Sequence, residues 1–259
     1  MSNKNPIGLF DSGVGGTSIW KEVHTLLPNE STLYLADSKN APYGQKSQEE
    51  IIELSKKNTE FLLNQNCKMI IVACNTATTN AIKTLRETYD IPFIGIEPAI
   101  KPAALQSKNN CIGILATKGT LNSELFHQNV ALYSDVKIVE QIGYGLVQLI
   151  ESGNMYSEEM TQLLHDYLNP MIEQNIDYLV LGCTHYPYLI PQIKKILPSH
   201  IKIIDSGEAV ARQTKHILEV NNLFNTSHKK AENIFYINSE PEVMQELIGP
   251  NYKVNYKDF

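Results

Sequence analysis

Eight short apolar runs, separated by longer stretches of helical periodicity, restrict this chain to one class of fold. Ile7–Phe10, Thr32–Ala36, Met69–Cys74 and Phe93–Ile96 form a first set. Cys111–Ala116, Val136–Glu140, Tyr178–Cys183 and Ile201–Ile204 form a second. Several are apolar on both faces, as strands are when helices cover both sides of a parallel sheet. Helical patterns span Thr17–Leu27, Ser47–Gln65, Thr76–Thr88, Ser123–Leu132, Ser157–Gln174 and Tyr188–Leu197. Strand and helix in alternation predict an α/β protein with mostly parallel sheets.

The two sets echo each other. Ile7-Gly8-Leu9-Phe10 runs into Asp11-Ser12-Gly13, and 105 residues later Ile112-Gly113-Ile114-Leu115 runs into Ala116-Thr117-Lys118-Gly119. Val72-Ala73-Cys74-Asn75-Thr76 is echoed 109 residues later by Leu181-Gly182-Cys183-Thr184-His185, and Phe93–Glu97 by Lys202–Ser206 at the same offset. Any two α/β units share strand-then-small-residue turns, but the Cys-plus-Thr match at the third strand of each set favours true repetition. The sequence therefore predicts two similar, pseudo-symmetric α/β domains with a cleft between them. Residues 1–97 and 208–259 make the first and 98–207 the second, with crossings near Glu97-Pro98 and Ser206-Gly207. Helix Glu208–Leu218 and the segment Asn233–Asn238 return to the first half. At 259 residues the chain is long enough for either half to bury a core without disulfides or metals.

Charge narrows the partners. There are 28 Asp and Glu against 22 Lys and Arg, a net charge of −6. Nucleic-acid binding by counterion release needs clustered cations. Here Lys56-Lys57, Lys194-Lys195 and Lys229-Lys230 are isolated pairs that read as solvated surface. Met1–Pro6 lacks the basic start and apolar run of a signal peptide. The longest apolar runs fall far below the roughly 20 residues that span a bilayer. The expected location is cytoplasmic, with no membrane partner. In that reducing setting Cys67, Cys74, Cys111 and Cys183 are expected as core residues, ligands or reactive thiols rather than disulfides.

Ligands of open α/β sheets bind beyond the carboxyl ends of the strands. Those positions hold Asp11-Ser12-Gly13, Cys74-Asn75-Thr76, Thr117-Lys118-Gly119-Thr120 and Cys183-Thr184-His185. Asp11-Ser12-Gly13-Val14-Gly15-Gly16 lacks the third glycine of a dinucleotide fingerprint and the Gly-Lys-Ser/Thr ending of a phosphate loop. Its glycines are expected to let backbone approach a small ligand and to offer N–H groups at a helix start. Taken alone, Asp11 is a helix cap. Cys74 and Cys183 taken alone are small buried hydrophobes. Their shared position at a helix start, where a thiol pKa can be lowered, favours chemistry. Cys67 and Cys111 lack that context and are assigned to structure.

Rival chemistries fit less well. Zinc spacings of the Cys-x-x-Cys or His-x-x-x-His kind are absent. A Cys–His hydrolase leaves the duplicated cysteine unexplained. Pyridoxal phosphate would need a Schiff-base lysine and a phosphate cup, and neither is evident. Two thiols facing each other across a cleft suit a different task. One takes a proton from a carbon while the other returns one to the opposite face, which inverts a stereocentre. Asp11 would assist Cys74, and His185 would assist Cys183. Asn75, Thr76, Thr117, Thr120, Thr184 and backbone N–H groups would hold carboxylates and an amine.

Asp-Ser-Gly-Val-Gly-Gly at 11–16, Pro-Tyr-Gly at 42–44, Cys-Asn-Thr-Ala at 74–77 and Gly-Cys-Thr-His-Tyr-Pro at 182–187 resemble, in order and spacing, the glutamate racemase family. The similarity covers most of the chain and thins after about residue 220. The resemblance implies a cofactor-independent enzyme that interconverts L- and D-glutamate for bacterial peptidoglycan precursors and forms a homodimer. It implies that Cys74 serves the D-enantiomer and Cys183 the L-enantiomer, with Asp11 and His185 as helpers. It implies that Ser12, Pro42, Tyr43, Gly44, Asn75, Thr76 and Thr184 contact substrate, and that Thr117 and Thr120 match the family's Thr-x-x-Thr segment. Ala116 stands where the family commonly has Gly, and Lys39-Asn40-Ala41 departs from its Ala-Arg-containing stretch. Glu151 matches a family segment near the cleft; its plain reading is a helix-surface carboxylate. A racemase for aspartate or another acidic amino acid, or a non-catalytic binding protein of this fold, would share most of these residues. His185 within Gly-Cys-Thr-His favours glutamate.

Overall fold

The computed structural model describes residues 3–226 and 230–259, so Met1, Ser2 and Lys229 of the Lys229-Lys230 pair lie outside the described residues. From the N-terminal side the elements are β1 (Ile7–Asp11), α1 (Thr17–Leu26), β2 (Thr32–Ala36), α2 (Gln48–Asn64), β3 (Met69–Val72), α3 (Asn75–Thr88) and β4 (Phe93–Gly95). Next come α4 (Ile100–Gln106), β5 (Cys111–Ala116), α5 (Lys118–Leu121), α6 (Glu124–Ala131), β6 (Lys137–Ile142), α7 (Leu146–Glu151), α8 (Glu158–Glu173), β7 (Tyr178–Gly182), α9 (Ile190–Ile196) and β8 (Lys202–Ile204). The last are α10 (Gly207–Val220), β9 (Asn233–Ile237), α11 (Glu242–Ile248) and β10 (Val254–Tyr256).

The strands form two sheets, β10-β9-β2-β1-β3-β4 and β6-β5-β7-β8. Every pairing in both is parallel. The inner order of the first sheet, β2-β1-β3-β4, is the order of the second, so the echo in the sequence is an echo in topology. Each residue of β1, β2, β3, β5 and β7 is buried, which is why these segments lack the polar-apolar alternation of a one-faced strand. The edge strand β6 is half-exposed throughout and lies at 137–142, shifted from the expected Val136–Glu140. The sequence around it offers too little apolar contrast to fix its ends.

Helix starts follow their caps. Ser47, Ser123 and Ser157 each accept a backbone N–H three residues on, and Ser47 forms a full capping box with Glu50. The helix expected over Tyr188–Leu197 instead opens as a 3-10 turn at Tyr186–Leu189, with Pro187 in its first turn, before α9 begins. The sequence reading did not include α4, α5, α7, α11 or β10.

One buried ion pair ties distant parts of the first sheet. Lys68, just before β3, is fully buried and its Nζ lies 2.5 Å from Glu30 Oε2. The same ammonium donates to the carbonyls of Asn3 at 2.9 Å and Leu223 at 2.8 Å. Between the sheets, Ser206 Oγ donates to the Glu97 carbonyl, so the two chain crossings are hydrogen-bonded to each other.

Candidate active site

The residues just past β1, β3 and β7 meet at one cleft. Asp11, the last residue of β1, is fully buried. Its carboxylate accepts from Ser12 Oγ at 3.1 Å, Gly16 N at 2.9 Å and Thr184 Oγ1 at 2.9 Å. Burial pushes its pKa up to about 6, against the pull of His185 and the Thr184 hydroxyl. The folded protein therefore holds this proton up to about pH 6, whereas the unfolded chain releases it near the ordinary 3.8. The folded state binds more protons in that window, so stability falls as pH rises through it. Asp11→Asn is expected to be more stable than the parent at pH 7.5 by on the order of 2 kcal/mol, the gap closing near pH 4. Urea unfolding at the two pH values checks this; a gap independent of pH would show that Asp11 ionises freely.

Cys74 is the N-cap of α3, and its sulfur accepts the Ala77 N–H at 3.4 Å. Its thiol donates to Ser12 Oγ at 3.6 Å. The sequence expectation that a helix start lowers this thiol's pKa is reversed. Burial drives it well above the usual thiol range, and the Asp11 charge adds to the shift. Resting Cys74 is a protonated thiol.

Cys183 follows β7 directly, and its sulfur lies 3.7 Å from His185 Nδ1. The other ring nitrogen of His185 lies 2.5 Å from Glu151 Oε1. Burial alone would depress the imidazolium. The bonds to Cys183 and Glu151 outweigh it and hold the His185 pKa well above its ordinary value. Glu151 ends α7 and accepts two further bonds at 2.7 Å, from Val14 N and Ser38 Oγ. The plain reading of Glu151 as a surface carboxylate is therefore wrong, because its partners come from three other segments and leave its side chain 14% exposed.

These contacts also explain two of the glycines in the turn at 11–16. A Cβ on Gly13 would stand 2.0 Å from Glu151 Oε1, and one on Gly15 would stand 2.2 Å from His185 Nδ1. The Val14 and Gly16 N–H groups are taken by Glu151 and Asp11. Gly13 and Gly15 thus admit the protein's own Glu151 and His185 close to the backbone of the turn.

A narrow cleft lies between the sheets, and Ser12, Pro42, Tyr43, Gly44, Cys74, Asn75, Thr76, Thr117, Cys183, Thr184 and His185 line it together with Val147. Asp11 and Thr120 do not line it. Asp11 sits behind Ser12. Thr120 is sealed behind a ring of hydroxyls in which Thr76, Thr117 and Thr120 stand 2.8–3.3 Å apart, joining the two halves. Tyr43 is held from behind by Asp37, whose Oδ2 accepts its hydroxyl at 2.5 Å, and by Asn58 Nδ2 at 3.1 Å. Asn75 lines the cleft, and the carbonyl oxygen of its side chain is buried with no partner. Val147 was missed by sequence reasoning, since an apolar residue in a short helix carries no chemical signature. Cys67 packs in the core beside Gly8, and Cys111 bonds to the Gln174 carbonyl, both away from the cleft. Among the described residues no group of three or more His, Cys, Asp and Glu is disposed to hold a metal ion. Among them, too, no helix is long and apolar enough to cross a membrane.

The chain is similar to known proteins in sequence and in fold. Residues 15–214 match the family described as Asp/Glu/Hydantoin racemase. A glutamate racemase of Ralstonia pickettii is 50% identical over 208 residues, covering 80% of this chain and 74% of the relative. A crystal structure of a glutamate racemase isoform from Bacillus anthracis superposes with a TM-score of 0.88 at 31% identity, covering 98% of this chain and 97% of that one. The Francisella tularensis glutamate racemase in complex with D-glutamate gives a TM-score of 0.86 at 31% identity, covering 99% and 98%.

Proposed function

The chain belongs to the Asp/Glu/hydantoin racemase family and is a glutamate racemase, and from that premise we propose how it works. It interconverts L- and D-glutamate by two-base proton transfer at Cα. The observation that carries this reading is the pair of thiols. Cys74 and Cys183 stand beyond equivalent strands, β3 and β7, of two sheets that share an inner strand order, and both line one cleft.

Glutamate enters between residues 1–97 with 208–259 and residues 98–207. The unpartnered Asn75 oxygen takes its ammonium group. The Thr76 and Thr117 hydroxyls and nearby N–H groups, that of Thr184 among them, hold its carboxylates, with Pro42, Tyr43 and Gly44 closing one side. From D-glutamate, a Cys74 thiolate takes the Cα proton and leaves its electron pair on a carbanion spread into the α-carboxylate. The Cys183 thiol delivers its own proton to the opposite face, giving L-glutamate and a Cys183 thiolate beside the protonated His185. The reverse reaction exchanges the roles. His185 favours the Cys183 thiolate by charge and hydrogen bonding, and Glu151 fixes its ring. Such a cycle needs only side chains and would supply D-glutamate for peptidoglycan.

The test is circular dichroism of L- and of D-glutamate with purified protein and no added cofactor, run with and without EDTA. Both enantiomers are expected to decay to zero rotation at equal rates in either buffer, with deuterium entering Cα from D₂O. Binding without exchange would reduce the protein to a receptor, and zinc-restorable loss on chelation would remove the two-thiol mechanism. The cleft is small and polar, so glutamate is expected to be turned over at least ~100-fold more efficiently than aspartate, whose shorter chain leaves one carboxylate short of its donors. Equal kcat/KM for the two acids would move the protein to a broader racemase class.

A further inference from the structure

The two thiols are served by carboxylates in different ways, and the difference gives Ser12 a task. His185 is the group that joins Cys183 to Glu151. The residue at the equivalent place after Cys74 is Thr76, which is engaged with Thr117 and Thr120. What joins Cys74 to a carboxylate is the Ser12 hydroxyl. It accepts from the Cys74 thiol at 3.6 Å and donates to Asp11 Oδ1 at 3.1 Å.

Resting on the two-base reading above, we propose that Ser12 is a proton relay between Cys74 and Asp11, and that it acts on the D-glutamate side of the reaction alone. A hydroxyl has one proton to donate and two lone pairs. The Ser12 proton is committed to Asp11, so Ser12 has none left to give to a substrate carboxylate. Its remaining capacity is to accept, and the thiol already points at it. Both ends of the relay are buried, Asp11 fully and Cys74 at 4% exposure, and the Ser12 hydroxyl is the group that bridges them.

The step balances as one concerted shift. The Cys74 S–H bond breaks as its proton forms a bond to Ser12 Oγ, and the original Ser12 O–H bond breaks as that proton passes to Asp11 Oδ1. The products are a Cys74 thiolate, an intact Ser12 hydroxyl and a neutral Asp11 carboxyl. The thiolate then takes the Cα proton of D-glutamate. Asp11 must start ionised, which its pKa near 6 permits at neutral pH. Its other oxygen stays bonded to Thr184 and the Gly16 N–H, so it does not swing toward the substrate.

The test uses a glutamate analogue carrying chloride on Cβ, in both Cα configurations. Deprotonation of Cα expels chloride and forms the Cα–Cβ double bond, so each enantiomer reports one thiol. Ser12→Ala is expected to slow chloride release from the D-analogue at least about tenfold in kcat, the lower end of what an acid-base group contributes. Release from the L-analogue is expected to stay within about twofold, since that side runs through His185 and Glu151. The acid limb of the D-side pH profile, where protonated Asp11 receives no proton, is expected to vanish in the variant. Equal slowing of both enantiomers, as loss of a shared substrate contact would produce, overturns the relay, and so does an unchanged D-side rate. If the parent racemises glutamate and Ser12→Ala shows either pattern, only the relay is lost; a parent that acts on neither enantiomer loses the racemase reading with it.

Discussion

Cys74→Ser and Cys183→Ser are each expected to lose net racemisation by about three orders of magnitude or more, the scale of a removed acid-base group. A serine hydroxyl at the same place is too weak an acid and base near neutral pH to exchange a Cα proton. Racemisation needs both faces, so either loss stops it. Each variant should nevertheless keep the half-reaction of its surviving thiol. With a β-leaving-group analogue, Cys74→Ser is expected to process the L-form and Cys183→Ser the D-form. Cys67→Ser and Cys111→Ser, whose sulfurs lie in the core and on the Gln174 carbonyl, are the controls. They are expected to keep near-parent turnover. Full activity in both cleft variants would falsify the mechanism, and inactivity of folded Cys67→Ser would misassign the first base.

Glu30→Ala is expected to be the most damaging change to stability away from the cleft. It strands the Lys68 ammonium, 0% exposed, with only the carbonyls of Asn3 and Leu223 for company. Breaking one partner out of a buried pair costs about 3–5 kcal/mol, because the remaining charge is uncompensated. It also removes the acceptor for the Asn225 N–H, which Glu30 Oε1 holds at 2.8 Å. Lys68→Met on top of Glu30→Ala is expected to recover part of the loss, since it removes the bare charge but leaves the Asn3 and Leu223 carbonyls without their donor. Denaturant midpoints of the parent, single and double variants decide it. A single variant within about 0.5 kcal/mol of the parent would mean the pair contributes nothing.

Strands β1, β3, β5 and β7 were legible because parallel strands buried on both faces read as unbroken apolar runs. Cys74 and Cys183 were legible because the repeat placed them at equivalent strand ends. The helices α4, α7 and α11, of six or seven residues, were not, since so few turns hold too little periodicity to stand out. Missing α7 hid the purpose of Glu151. Its contacts with Val14, Ser38 and His185 are 137, 113 and 34 residues away in sequence, and no local spacing announces them. A signal did exist: three glycines in six residues without a nucleotide motif mean that something must approach that backbone closely, and Glu151 and His185 do so. The direction of the Cys74 shift was illegible for a related reason, since depth of burial depends on what the rest of the chain covers.

The position of β9 has a consequence for the protein during its synthesis. β2 lies inside the first sheet because β9 pairs along its outer side, from Thr32 against Asn233 to Ala36 against Ile237. Those partners are 201 residues apart in the chain. At the roughly 5–20 residues per second of a ribosome, the open side of β2 waits about 10–40 seconds for its neighbour. Through that interval Leu33, Tyr34 and Leu35 border a row of unpaired N–H and C=O groups, a template for any other extended chain nearby. The second sheet, whose strands all arrive between Cys111 and Ile204, is complete before that wait ends. The nascent chain thus carries one finished sheet and one open edge, and its hazard of mispairing is set by the distance from β2 to β9 rather than by the stability of the finished protein.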